Sequence, residues 1–207
     1  QAALRSGAEH IVASERCVDP WKRSHQLAID RYLAGRSSAI VVPSPGIRDF
    51  YAARGLPQDK FHIIPNGVPA SDGKGSVARG ALLAELNLPP QTRLIGAVGR
   101  LWPQKRLKDA IWAAELISAV RGDSHLLIIG EGPLRWRLER FCRFVHVGNQ
   151  IHFLGHRDDV TRIMPHLDCL WLSSDYEGMP NAILEAMASG TPVAAYDATG
   201  PRDVIPG

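Results

Sequence analysis

The feature that most constrains the fold is a regular alternation of short apolar runs with helical patterns. In the second part of the chain, the apolar runs are residues 94–98, 126–129, 151–154, 169–172 and 193–196. Each run has the length of a buried strand, and a helical pattern follows it. Strands that alternate with helices are joined by right-handed crossovers. The sequence therefore predicts an α/β fold, with a parallel sheet that is covered by helices on both faces.

The helical patterns of this part are residues 77–86, 107–120, 134–147, 160–164 and 181–188. The first part of the chain continues the alternation, with strands predicted at 10–13, 39–42 and 61–64 and helices at 24–33 and 46–54. Pro65-Asn66-Gly67 is a strong turn signal, and residues 71–76 resemble a linker. We therefore predict one domain over residues 1–66 and a second over residues 67–207.

Composition excludes several classes of protein. A net charge of +3 is too weak to argue for a nucleic-acid partner, and no apolar run is long enough to span a bilayer. The three cysteines, Cys17, Cys142 and Cys169, are odd in number and widely spaced, which disfavours a disulfide framework and a metal site. They predict a reducing, cytoplasmic location.

The chain starts at Gln1 and stops at Gly207, and both ends look cut from a longer protein.

Ligands of parallel sheets bind at the carboxyl ends of the strands, so the loops there are candidate sites. The loop after residue 98 offers Gly99, Arg100 and Lys105. Gly99 allows close approach of the backbone, and the two cations can hold phosphate oxygens. The alternative is that both are solvated surface cations. The dinucleotide fingerprint is absent, because the Gly-x-Gly-x-x-Gly spacing is missing.

Two further loops offer weaker signals. Gly130-Glu131-Gly132-Pro133 either lets a base or ribose lie against the backbone or forms a plain tight turn, and the sequence does not separate these alternatives. Arg157, after the next strand, could meet a base edge or a phosphate.

The most informative block runs from Glu177 to Val193 and places the carboxylates of Glu177 and Glu185 eight positions apart. Pro180 suits the first position of the helix at 181–188. The helix start would present free N–H groups and a positive dipole end, which suit a diphosphate, beside Gly178. Both carboxylates could then accept hydrogen bonds from hydroxyl groups. Each glutamate taken alone is more often solvated, or compensates the helix dipole.

Taken in order, residues 98–105, 130–133, 153–155 and 177–193 resemble the retaining glycosyltransferases of family 4, which have the GT-B fold of two Rossmann-like domains. Asn66-Gly67 resembles the junction between those domains, and the resemblance covers nearly the whole chain. On this basis residues 1–66 correspond to the last strands and helices of the N-terminal acceptor domain. Residues 67–207 correspond to a donor-binding domain that lacks its C-terminal helix.

The resemblance implies roles for individual residues. Arg100 and Lys105 match the basic pair that neutralises the donor diphosphate, and Glu177 matches the glutamate beside the donor sugar. Glu185 matches the glutamate that binds the ribose hydroxyls. The backbone amides expected at the sugar and phosphate are those of Gly178, Met179 and Asn181. The residues expected at the base are Gly130, Glu131 and Arg157.

The resemblance also implies transfer of a sugar from a UDP- or GDP-sugar with retention, without a metal or other cofactor. The acceptor would be a sugar, a lipid-linked molecule or a small molecule. Most of the acceptor domain is missing, so we expect this chain alone to be inactive. His10 is not a secure match for the family's histidine, and Ser14-Glu15-Arg16 occupies the corresponding loop end.

Two other classes of function stay open. One is an isomerase related to sugar-nucleotide epimerases, which the glutamate block disfavours. The other is a non-catalytic module that binds nucleotide-sugars or a membrane surface. The basic, amphipathic helix at 134–143 raises the second alternative and would place the parent protein at the inner face of the membrane. A sheet-covering helix with a solvated cationic face is the more ordinary interpretation of that helix.

Overall fold

The structure, a computed structural model, describes residue 3, residues 6–69 and residues 78–205. The described residues form two compact units. The first unit contains residues within 1–67, 176–180 and 197–207, and the second contains residues within 68–175 and 181–196. The first division falls at the predicted junction. The predicted second domain was continuous, whereas two of its short segments group with the first unit here.

The first unit contains a three-stranded parallel sheet. Its strands are β1 (Val12–Ser14), β2 (Ala39–Val42) and β3 (Phe61–Ile63), in the order β1-β2-β3. Helices α1 (Ser24–Arg36) and α2 (Pro45–Ala52) follow β1 and β2. The buried core consists of Val18, Ala34, Ile40, Val42, Ile47, Tyr51 and Leu56. Tyr51 is fully buried, and burial is the main cause that raises the pKa of its hydroxyl.

The second unit contains a five-stranded parallel sheet in the order β6-β5-β4-β7-β8. Helix α3 (Arg79–Glu85) precedes the sheet. The strands are β4 (Arg93–Val98), β5 (Ser124–Ile129), β6 (Ile151–Gly155), β7 (Cys169–Leu172) and β8 (Val193–Ala195). The helices between them are α4 (Leu107–Val120), α5 (Arg135–Phe144), α6 (Val160–Ile163) and α7 (Asn181–Ala188). Helix α8 (Pro201–Val204) follows β8 and groups with the first unit.

Side chains of the central strands alternate between two separate cores. Ile95 and Leu126 belong to a cluster with residues of α4 and α5. Leu94 and Leu127, one position away, belong to a cluster with residues of α3, α6 and α7. Because successive residues of a strand point to opposite faces, these clusters lie on opposite faces of the sheet. The predicted fold class, a parallel sheet with helices on both faces, is confirmed.

All eight predicted strands are present, with ends that differ by at most two residues. The helix predicted at 134–147 ends at Phe144, because His146 adopts a left-handed conformation with φ 59° and Val147 donates a hydrogen bond back to Cys142. The helix predicted at 181–188 is present with both ends as predicted, and Pro180 lies directly before its first residue, Asn181. The predicted linker at 71–76 and the predicted helix start at residue 77 lie outside the described residues. Among those residues, no helix is both long and apolar enough to cross a membrane.

Candidate functional site

In the second unit, the loops after β4 and β5 interlock through their backbones. The N–H of Gly99 donates to the carbonyl of Ile129 (2.9 Å), and that of Leu101 donates to Glu131 (2.8 Å). A Cβ atom at Gly130, whose φ is 137°, would lie 2.1 Å from the carbonyl oxygen of Gly99. The neighbouring loop therefore requires glycine at position 130, which favours the tight-turn interpretation of Gly130–Pro133.

The two predicted cations of the β4 loop differ in how they are held. The Arg100 side chain is exposed and has no hydrogen bond or ion pair within the described part of the chain. Lys105 is half-buried, and its Cε and Nζ atoms lie 3.0 Å and 3.2 Å from the position that a Cβ on Gly99 would occupy. The structure thus brings Lys105 against Gly99, as a phosphate site at this loop requires, and leaves the Arg100 guanidinium available.

The short 3-10 helix that carries Lys105 (Pro103–Lys105) is fixed by the loop after β7. The hydroxyl of Ser173 donates to the carbonyl of Lys105 (2.7 Å), and the N–H of Asp175 donates to Gln104 (3.0 Å). The hydroxyl of Ser174 is fully buried and has no hydrogen-bond partner among the described residues.

Arg106 is a residue of this region that sequence reasoning missed. It adopts a left-handed conformation with φ 46° at the start of α4, which is strained for a residue with a side chain. Its guanidinium lies 2.6 Å from Asp109 and 2.8 Å from Asp175 and so ties the two loops together. The spacing of three positions from Arg106 to Asp109 gave a local signal for the first ion pair, but nothing in the sequence indicated the second.

Glu185, on α7, is a half-buried carboxylate. Burial raises its pKa, and no cation or N–H group contacts the carboxylate within the described residues. Its backbone carbonyl accepts hydrogen bonds from Ser189, so only the side chain is without a partner. A carboxylate in this condition is disfavoured by desolvation and would be stabilised by hydroxyl donors from a ligand. Asn181 is exposed at the first position of the same helix.

Arg157 is paired with two carboxylates of the second unit. Its guanidinium donates two hydrogen bonds to Asp159 (both 2.8 Å) and one to Glu85 (2.5 Å). These hydrogen bonds raise its pKa, with Asp159 as the larger cause. Three of its five N–H donors are therefore committed to the protein. The predicted contact of Arg157 with a base stays a prediction, with two N–H donors left to make it. Glu131, the other side chain predicted near the base, is exposed.

In the first unit, Glu177, Gly178 and Met179 are held by surrounding backbone. The N–H of Glu177 donates to Thr199 (2.9 Å), and the amide of Asn66 donates to the carbonyl of Met179 (3.0 Å). A Cβ at Gly178 would lie 1.8 Å from the carbonyl oxygen of Arg16, so only glycine fits.

Two backbone N–H groups of this segment have no acceptor among the described residues. The N–H groups of Gly178 and Met179 donate no hydrogen bond to any described residue. The Glu177 side chain is half-buried. The segment therefore offers two free donors on a fixed backbone, as the prediction of sugar and phosphate contacts requires.

Comparison with known protein families identifies the chain. The model of glycosyl transferases group 1 matches residues 79–206, which is more than half of the chain. The chain belongs to this family. The model of Glycosyltransferase Family 4 matches residues 10–72. The predicted membership of the family 4/group 1 glycosyltransferases is thus confirmed, and these proteins are transferases.

Two curated relatives are similar over most of the chain. The 2-deoxystreptamine glucosyltransferase of Streptomyces kanamyceticus is 30% identical over 184 residues, which cover 86% of this chain and 47% of the relative. A GDP-mannose-dependent alpha-mannosyltransferase of Mycobacterium tuberculosis is 32% identical over 198 residues, which cover 94% of this chain and 46% of the relative. The chain therefore spans about half the length of the curated relatives it matches.

Solved structures share the fold. HepE of Anabaena in complex with UDP-glucose matches with a TM-score of 0.89 at 22% identity, over 100% of this chain and 59% of that one. This likeness confirms that the group 1 chain has the α/β architecture of GT-B glycosyltransferases.

Proposed function

We propose that the full-length protein transfers a sugar from a nucleoside diphosphate sugar to an acceptor with retention, and that this chain supplies the donor-binding part. Membership of the glycosyl transferase group 1 family supports sugar transfer. The relatives named above act with GDP-mannose or transfer glucose, and HepE binds UDP-glucose. GDP-mannose and UDP-glucose are both nucleoside diphosphate sugars, which supports this donor class, and none of the names supports an isomerase.

The observation that carries the proposal is the half-buried carboxylate of Glu185, which has no partner among the described residues. In an unliganded protein, such a group costs stability and contributes nothing in return. Two ribose hydroxyls would supply the missing hydrogen-bond donors. Glu185 is accordingly proposed as the ribose-binding residue.

The two cations of the β4 loop are proposed to bind the donor diphosphate. Arg100 would pair with the donor diphosphate, since its guanidinium is exposed and unpaired in the described structure. Lys105, held against Gly99, would add a fixed positive charge. As the sugar–phosphate bond breaks, negative charge develops on the departing diphosphate, and preorganised cations stabilise it electrostatically. This role requires no metal ion at the same position.

Glu177 and the free N–H groups of Gly178 and Met179 are proposed to contact the donor sugar. The carboxylate of Glu177 would stabilise the positive charge that forms on the sugar during transfer. The names of the relatives differ in their acceptors, so the proposal leaves the acceptor as a sugar, a lipid-linked molecule or a small molecule.

Calorimetry with UDP and with GDP tests the donor assignment. We expect Arg100→Ala and Glu185→Gln each to weaken nucleotide binding at least about tenfold, which corresponds to roughly 1.4 kcal/mol. Arg121→Ala and Glu115→Gln are matched controls, because they remove an arginine and a glutamate elsewhere in the second unit. The controls should keep the wild-type affinity.

Unchanged affinity in both Arg100→Ala and Glu185→Gln would overturn the assignment of the site. Retention is tested separately, by NMR of the product that the full-length enzyme makes from an α-linked donor. An α-linked product is expected, and a β-linked product would contradict retention.

A further inference from the structure

Helices α4 and α5 carry a surface that the proposed donor site does not use. We define the α4–α5 surface as Lys108 and Trp112 of α4 with Trp136, Arg137, Arg140 and Phe144 of α5. All of them except Trp112 line one shallow groove, together with Phe141. Trp112 joins the groove because its ring stacks on Phe141, with centroids 5.9 Å apart.

The aromatic residues of this surface are unusually exposed. Trp112 is 52% exposed, Trp136 57% and Phe144 78%. Helix α5 already packs on the sheet through Leu138 and Cys142, which are buried in the core. The three outer aromatic side chains therefore add little to folding, and a cluster of exposed apolar residues marks an interaction site.

The charges of the surface have one sign. Lys108, Arg137 and Arg140 form no ion pair with any described residue. Lys108 lies 5.0 Å from the centroid of Phe141, and Arg137 lies 5.3 Å from that of Trp136, so the cations are interleaved with the rings. No carboxylate lines the groove within the described residues, and Glu139 of the same helix is paired with Arg135 at 2.8 Å.

We propose that the α4–α5 surface binds the surface of an anionic lipid bilayer. Tryptophan inserts at the level of the headgroups, where its apolar ring is buried and its N–H stays in contact with water. Phenylalanine adds apolar area that is buried at the boundary of headgroups and acyl chains. Lysine and arginine beside them are attracted to anionic headgroups. A solvated cationic face would explain the arginines but not the three exposed aromatic side chains.

A second copy of the chain fits this surface less well. In a two-fold symmetric dimer, the same patch faces itself, so three unpaired cations would oppose three others without a carboxylate between them. A bilayer with anionic lipid has the opposite charge and also accepts the aromatic rings.

Vesicle co-sedimentation of the purified protein tests the proposal. Vesicles of phosphatidylcholine alone are compared with vesicles that also contain phosphatidylglycerol, at low and at high salt. We expect binding only to the phosphatidylglycerol vesicles, with weakening at high salt. Arg137→Gln/Arg140→Gln should lower the partition coefficient about thirtyfold, and Trp136→Ala/Phe144→Ala should also lower it.

Matched controls are available in the first unit. Arg48→Gln/Arg202→Gln changes the net charge by the same amount, and Trp21→Ala removes a tryptophan that is 58% exposed. Both controls should bind vesicles as the wild type does. Every variant should keep the wild-type affinity for UDP, so failure of the membrane proposal is distinguishable from failure of the donor site.

Absence of binding to the phosphatidylglycerol vesicles at low salt would overturn the proposal. Equal binding by the two α4–α5 double variants and the wild type would also overturn it. A dimer, or a complex with single-stranded DNA, that forms without any vesicle binding and is lost in the same variants would assign the surface to that other partner.

Discussion

In the first unit, Lys22 lies 3.0 Å from Asp19 and 2.9 Å from Asp30, and the hydroxyl of Tyr51 donates to Asp19 at 3.0 Å. In the second unit, the half-buried side chain of Glu185 and the exposed side chain of Arg100 have no partner among the described residues. The first unit thus neutralises these charges internally. The second unit neutralises some of its charges, such as that of Arg157, but leaves the Glu185 and Arg100 side chains without a partner among the described residues. Charged side chains that pair within the protein stabilise the fold. Charged side chains without a protein partner indicate where a ligand would pair with them.

Removing the central cation of the first unit is expected to have the largest effect on stability. The Lys22 side chain is 14% exposed. Burial opposes its charge, yet hydrogen bonds to Asp30 and Asp19 raise its pKa overall. Lys22→Met would leave these carboxylates partly buried without a cation, so we expect a loss of about 3 kcal/mol in the free energy of unfolding.

Urea denaturation measures this loss. Arg48→Met is the control, because the one described ion-pair partner of Arg48 is the adjacent and exposed Asp49. This substitution should change stability by less than about 0.5 kcal/mol. Equal stability of Lys22→Met and the control would show that the first-unit network contributes little.

A smaller effect is expected at Arg157, the paired cation of the second unit. Arg157→Gln breaks its hydrogen bonds to Asp159 and Glu85, which should cost about 1 to 2 kcal/mol. Since most of its donors are used within the protein, UDP affinity should fall less than in Arg100→Ala. A larger loss of UDP affinity than in Arg100→Ala would instead make Arg157 the main ligand-binding cation.

Glu185→Gln should have the opposite effect to Arg157→Gln, with little change in stability and a clear loss of nucleotide affinity. The substitution removes a partly desolvated charge that has no partner, so stability should stay within about 0.5 kcal/mol of the wild type or rise. Nucleotide affinity should nevertheless fall, as proposed above. Thermal unfolding without and with UDP measures both quantities in one series, and strong destabilisation of the variant without UDP would mean that the carboxylate has a structural partner.

The smallest effect is expected from a histidine pair in the second unit. The Nδ1 atom of His125 on β5 lies 2.9 Å from the Nε2 atom of His152 on β6, and burial is the main cause that lowers the pKa of both. The charge of Asp123 partly opposes this at His125, and His125 lowers the pKa of His152 further. The unfolded chain therefore binds more protons, so stability is complete above the unfolded pKa of about 6.5 and is lost as the pH falls toward the folded pKa values.

Measuring the free energy of unfolding at pH 8 and pH 5 checks this sign. His125→Gln/His152→Asn should reduce the loss of unfolding free energy between pH 8 and pH 5. His156→Asn, which changes a histidine outside the pair, should leave that loss unchanged. An equal loss in the double variant and the wild type would contradict the account.

Much of the fold could be predicted from sequence because its signal is local. Residues 169–172 form an apolar strand whatever surrounds them, and the periodic pattern at 107–120 specifies α4 with both ends correct. The ends of α5 were less predictable, since the left-handed turn at His146 depends on how the chain folds back onto Cys142.

The candidate site was only partly predictable, because its partners are distant in sequence. Glu85 and Arg157 are 72 positions apart, and the close approach of Gly130 to Gly99 exists only after two loops pack. Motif spacing identified Glu185 in the helix that follows β7 and Arg100 in the loop after β4 as candidate site residues. It could not show that these two lack protein partners while Arg157 has them.

The most direct test of the central claim is an NMR titration of the Glu185 carboxyl group with and without UDP, assigned with Glu185→Gln. In the free protein, burial should hold the pKa of Glu185 above its ordinary value of 4.5. If ribose hydroxyls donate to this carboxylate, UDP should lower its pKa, because hydrogen bonds to the charged form favour it. A pKa of Glu185 that is unchanged or higher in the presence of saturating UDP would contradict the account.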